Sequence, residues 1–300
     1  MTTEETFRLD LQGYFVRRAV FTADEVARII AEMKKFEGLE KHEFPSPHAF
    51  GSWTPKVHEY RIQNLPECSD LFLNLIDHEG LYDVVEESLP SPHRITEAYS
   101  ITRTSGMGIP LHFVDIAMSR RNGGRLLTNH LKVAIVLSDS LTTRDGPFVV
   151  IEGSHRIGRD FPFRLIDPEW TVDTDELQAY VQHEDQRVAL AWKEIPGYRE
   201  VYARAGDVIF FTEDLWHGAQ TLETEHTRRT IYLGFSPYHF CNWHGLSNSE
   251  QLLERCSPRQ RMLLSGPYIG YNYEDHVSSQ KFCKDHFFLL PNERKKFSKD

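Results

Sequence analysis

The chain has 300 residues, 40% hydrophobic and 12% aromatic, which is ample for a packed core in one large domain or two small ones. A formal charge of −10 argues against a nucleic-acid or anionic-membrane partner, since either needs a cationic face. No apolar run is long enough to span a bilayer, and the opening MTTEETFRLD lacks a secretory pattern. We therefore expect a cytoplasmic protein, and read the four separated cysteines, none in a Cys-x-x-Cys pair, as reduced thiols.

No linker, repeat or low-complexity tract divides the sequence, so a single domain over residues 1–300 is expected, with an irregular or helical extension from 238 to 300. Gly13-Tyr-Phe-Val16 reads as an extended apolar entry. Thr22 and Glu25 then form a capping-box signature, and Val26, Ile29, Ile30, Met33 and Phe36 recur at helical spacing. Residues 40–66 read as irregular. A helix over Glu79–Ser88 is stopped by Pro90-Ser-Pro92.

From Arg94 onward short strands alternate with turn signals. The candidates are Ile95–Thr102, Leu111–Met118, Leu126–Leu137, Phe148–Ile151, Val208–Phe211 and Thr230–Phe235. Arg121-Asn-Gly-Gly124 is a reversal signal between the second and third. Val133-Ala-Ile-Val-Leu137 is apolar throughout, which predicts burial on both faces. Asp175–Gln182 reads as a helical insertion, and Ser249–Leu264 as a helix. The fold class expected is mainly β with flanking helices, as a jelly roll or barrel.

The chemistry concentrates between Gly206 and Ser236. Here a strand ending at Phe211 leads to a turn carrying His217, then to a polar loop and a strand opening with Arg228. An imidazole that binds metal and a guanidinium that grips a carboxylate suit a metal-chelated organic acid. Strand parity favours Arg228 over Arg229. Arg228, Thr230 and Tyr232 share a face, while Arg229 shares the other with Ile231, Leu233 and Phe235. The plain alternative makes both arginines surface ion-pair partners.

One histidine does not hold a metal, and non-haem iron sites use two histidines and a carboxylate. His183-Glu-Asp185 has the expected spacing but lies at the end of a predicted helix. His112-Phe-Val-Asp115 lies at a predicted strand but has one residue too many. A β-bulge would return Asp115 to the side of His112; otherwise Asp115 is a structural acid. His155 reads as a turn residue, or as one that supports a ligand from behind, rather than as a ligand itself. Thr128, Asn129 and Lys132 are read as structural polar residues that could also line a cavity. The aromatics Phe50, Trp53, Tyr60, Tyr238, Phe240 and Trp243 form either a lid or a cover for a sheet edge.

Taken in order, these features resemble the phytanoyl-CoA dioxygenase family of iron(II)/2-oxoglutarate oxygenases. Gly13-Tyr-Phe-Val16 with the helix after it, Asp145–Arg156 (DGPFVVIEGSHR) and the His217…Arg228 stretch carry the resemblance, over roughly residues 5–237. It implies a double-stranded β-helix, with iron(II) at His112, His217 and Asp115. It also implies that Arg228, aided by Thr230, holds the far carboxylate of 2-oxoglutarate. The activity implied is dioxygen-dependent oxidation, by default hydroxylation, of a small-molecule metabolite, with release of succinate and carbon dioxide. Two alternatives stay open: a silent binding protein on the same fold, and a halogenase-type relative lacking the metal carboxylate.

Overall fold

The computed structural model describes residues 1–55, 58–89, 92–106, 108–113, 120–122, 125–157, 162–166, 188–238, 240 and 247–264. Its helices are α1 (Thr3–Gln12), α2 (Ala23–Met33), α3 (Asp70–Leu73), α4 (Glu79–Ser88), α5 (Glu250–Arg255) and α6 (Pro258–Leu264). The first eight strands are β1 (Tyr14–Arg17), β2 (Phe50–Thr54), β3 (Glu59–Gln63), β4 (His93–Arg103), β5 (Ile109–His112), β6 (Arg120–Asn122), β7 (Arg125–Leu127) and β8 (Leu131–Val136). The remainder are β9 (Phe148–Ile151), β10 (Phe163–Ile166), β11 (Val188–Ala191), β12 (Tyr198–Val201), β13 (Val208–Thr212), β14 (His217–Ala219) and β15 (Arg228–Pro237).

Two antiparallel sheets face each other, as a double-stranded β-helix requires. The major sheet runs β1-β13-β8-β15-β4-β3-β2 and the minor one β12-β9-β14-β5. Side-chain alternation sorts the strands into layers. Val133, Ile135, Val208, Phe210, Ile231 and Leu233 leave the major sheet on its outer side and pack with Val26, Ile29 and Met33 of α2 and Leu81, Val84 and Val85 of α4. Ala134, Val136, Ile209 and Phe211 point inward and meet Phe148, Val150 and Val201 of the minor sheet. Burying each such aliphatic or aromatic side chain contributes about 1.5–3 kcal/mol, so this alternation fixes register as well as stability.

The capping box is realised as expected. Thr22 Oγ1 accepts from the Glu25 N–H at 3.3 Å, and Glu25 accepts from the Thr22 N–H at 2.8 Å. The helix over Glu79–Ser88 and the burial of Val133 to Leu137 also hold. Other expectations are corrected. Residues 40–66 contain the β2–β3 hairpin, which extends the major sheet at its edge; weak apolar alternation there hid it. A second capping box, Thr2 with Glu5, starts α1, and Gly13 at φ 86° ends it. The single strand expected over Leu126–Leu137 is two, β7 and β8, because Thr128 Oγ1 accepts from the His130 N–H and donates to the His130 carbonyl. Pro258 divides the last expected helix into α5 and α6. β6 pairs with β7 across the predicted reversal, whose Gly123 and Gly124, like residues 114–118 of the strand expected over Leu111–Met118, lie outside the described residues. Asp175–Gln182 lies outside the described residues. No helix among the described residues is long and apolar enough to cross a membrane.

Candidate functional site

Between the sheets lies a cleft of about 480 Å³, its mouth included. His112 ends β5 and His217 opens β14, where a turn was expected, and the two are direct partners across the antiparallel pair. Their ring centroids are 4.3 Å apart. Each ring is locked the same way. Nδ1 of His112 bonds the Pro110 carbonyl at 2.8 Å, and Nδ1 of His217 bonds the Leu215 carbonyl at 2.7 Å. A carbonyl accepts only, so both Nδ1 atoms carry the proton and both Nε2 atoms keep a lone pair. That is the tautomer a metal ligand needs.

The surroundings keep both rings neutral. Burial, and then the neighbouring His112, push His217 down to about 3. His112 is open to the cleft, but protein surrounds it otherwise, and this desolvation lowers its pKa as well. Phe211 and Phe148 pack on His217 at 4.8 and 5.8 Å between ring centroids. Gly218, between His217 and Ala219, lets β14 press against β5: a Cβ there would stand 2.5 Å from the Ile109 carbonyl oxygen.

Arg228 reaches the same cleft from β15. It is buried, and among the described residues no acceptor or carboxylate engages its guanidinium. A buried guanidinium without such a partner is costly, so this position suits an anionic ligand. Arg229 points to the other side of the sheet, as parity predicts, where it forks Glu37 at 2.9 and 3.0 Å. Thr230 is buried on the inward face between Arg228 and Tyr232, but the cleft wall is made by those two residues and not by Thr230. Asp115 and the His183-Glu-Asp185 alternative both lie outside the described residues. Among the described residues no cluster of three His, Cys, Asp or Glu side chains could hold a metal, so the third ligand is not assigned by geometry.

Other readings are resolved by position. His155 is a turn residue, its Nε2 3.1 Å from the Asp10 carbonyl oxygen. Tyr60 donates to the Phe36 and Leu39 carbonyls, and Trp53 is 52% exposed; neither lines the cleft. Trp243 lies outside the described residues. Lys132 does line the cleft. Its ammonium is held by Glu213 at 3.0 Å and Glu97 at 3.4 Å, and Glu97 also meets His130 at 3.2 Å. Burial, the largest single influence, raises the Glu213 carboxyl, but Lys132 and the neighbouring His217, His130 and His112 together bring the group down to about 2. Sequence reasoning missed Glu59, Arg61, Tyr99 and Arg103 as cleft residues. Parity along Tyr99-Ile101-Arg103 carried a signal for two of them. Glu59 and Arg61 were hidden in the segment read as irregular.

The set fits iron(II) and 2-oxoglutarate on its own chemistry: two neutral imidazoles with lone pairs on adjacent strands, and a buried guanidinium in the same cleft. No curated protein matches the sequence significantly. HygX from Streptomyces hygroscopicus, solved with nickel and 2-oxoglutarate, is 22% identical with a TM-score of 0.63, covering 84% of this chain and 94% of its own. The epimerase SnoN of nogalamycin biosynthesis is 18% identical (TM-score 0.54, covering 79% and 83%). The carbocyclase SnoK of the same biosynthesis is 17% identical (TM-score 0.56, covering 86% and 92%). At these identities the likeness establishes the fold. The phytanoyl-CoA dioxygenase family model matches residues 9–230, and that family uses iron(II) and 2-oxoglutarate. The chain belongs to the phytanoyl-CoA dioxygenase family.

Proposed function

We propose that the chain is a single-domain oxygenase that hydroxylates a small-molecule metabolite. In this reading His112 and His217 hold iron(II) through Nε2, Asp115 completes the site, and Arg228 grips the far carboxylate of 2-oxoglutarate. The observation that carries the reading is the paired Nδ1-to-carbonyl lock on two imidazoles 4.3 Å apart. The bound metal and 2-oxoglutarate, with dioxygen, supply an oxidant able to break a C–H bond while 2-oxoglutarate becomes succinate and carbon dioxide.

The protein's own part is positional. The carbonyls of Pro110 and Leu215 fix the ring planes. Phe148 and Phe211 keep water from one side of His217, which strengthens every charge interaction there. Tyr99 and Tyr232, stacked at 5.3 Å, give the cleft a flat aromatic wall suited to a compact substrate. Known relatives in fold support the substrate class: HygX has been solved with hygromycin B, and SnoN with nogalamycin RO.

Anaerobic addition of iron(II) and then 2-oxoglutarate should produce a visible metal-to-ligand charge-transfer band. Candidate metabolites should then trigger succinate release in air. A protein that binds neither metal nor 2-oxoglutarate is the silent binder instead.

A further inference from the structure

We propose that Arg103 is the second arm of a two-arginine clamp on the far carboxylate of 2-oxoglutarate. The inference rests on the reading in which Arg228 is the first arm.

The register supplies the geometry. Arg103 on β4 lies directly opposite Arg228 on β15, and Glu59 on β3 lies directly opposite Arg103. All three side chains line the cleft, and all are buried, Arg103 and Glu59 at 0% exposure. Opposed side chains on antiparallel strands begin about 4.5–5.5 Å apart, so two guanidinium groups at such a pair fall within the span of one carboxylate.

An anion placed between the two opposed arginines would relieve their mutual repulsion. Like charges placed opposite each other across strands are destabilising, and desolvation sharpens the repulsion. Burial, then the charge of Arg228, push the Arg103 guanidinium down to about 10, with Glu59 opposing. Glu59 is shared, since one of its oxygens pairs with Arg61. Arg61, Arg103, Arg228 and Glu59 all line the cleft. Arg103 is anchored by a bond from Nη2 to the Gly106 carbonyl at 3.4 Å. A planar fork held at its edge is pre-organised to meet a carboxylate. A 2-oxo acid without a far carboxylate would use neither arginine, so the clamp makes the cleft selective for a dicarboxylic co-substrate.

The test is calorimetric titration of nickel-loaded protein with 2-oxoglutarate and, separately, with pyruvate, which has no far carboxylate. Arg103→Gln should weaken 2-oxoglutarate at least tenfold and leave pyruvate and nickel affinities unchanged. Arg103→Lys retains the buried charge and the fold but lacks the fork, and should weaken 2-oxoglutarate at least threefold. If both variants bind 2-oxoglutarate like the parent, or lose pyruvate equally, the clamp is overturned. Arg228→Gln separates the layers: unchanged 2-oxoglutarate affinity in that variant would remove the co-substrate reading itself.

Discussion

Arg228 and Arg229 are neighbours in the chain, yet one opens into the cleft while the other forks Glu37 on the far side of the same sheet. The Glu37 carboxylate also accepts from Thr102 Oγ1 at 2.6 Å. One arginine is thus committed to structure, while in the proposed reading the other takes the co-substrate.

Substitution should separate the two. Arg228→Gln is expected to weaken 2-oxoglutarate by about 2 kcal/mol or more, roughly thirtyfold, because it removes one partner of a desolvated charge pair. Arg229→Gln should leave that affinity unchanged and cost about 1 kcal/mol of stability, since its ion pair is partly solvated. Calorimetry and urea unfolding read the two effects. Equal loss of 2-oxoglutarate in both variants would contradict the assigned faces.

Gly218→Ala should damage metal binding without touching a ligand. The added Cβ would press on the Ile109 carbonyl oxygen and lie 3.0 Å from that of Pro110. Relief requires β14 to move off β5, and with it His217 from His112. We expect nickel affinity to fall at least tenfold, measured by competition with a chromophoric chelator. Parent-like affinity would show that the strand pair tolerates the shift.

Lys132→Met should be severe and pH-dependent. It leaves Glu97 and Glu213 buried together without their shared cation, at a cost of about 3–5 kcal/mol near neutrality. With the cation gone both carboxyls rise in pKa, so the penalty shrinks as pH falls and they take up protons. Urea unfolding at pH 7.5 and pH 5 tests this; a penalty independent of pH would mean that the carboxyls are not ionised in the parent.

The metal-free protein should lose stability below about pH 6.5. His217 is held near 3 by burial, whereas an unfolded histidine titrates near 6.5. Between those values the unfolded state binds the extra proton, so the stabilisation is full above 6.5 and declines as pH falls. His217→Gln should flatten the thermal-midpoint curve across pH 6.5 to 5. A slope identical to the parent's would assign the dependence to other groups.

The resemblance carried by His217, Arg228 and Asp145–Arg156 was sufficient for family and fold, because those motifs combine fixed residue types with fixed order. Period-two alternation separated Arg228 from Arg229, since a strand forces neighbours to opposite faces. Local signals also located α2 and α4, whose caps and apolar spacing lie within a few residues of each other.

What one-dimensional reading did not reach is pairing between distant strands. The resemblance assigned His112 and His217 to one metal, but that they are direct cross-strand partners, and that Arg103 stands opposite Arg228 with Glu59 beyond it, depends on hydrogen-bond registers joining segments scores of residues apart. The chain's own alternation determined which face each residue takes. Only the packing of the two sheets decided which faces meet, because burial of Phe148, Ile209 and Phe211 between them sets that register, and no local pattern encodes it.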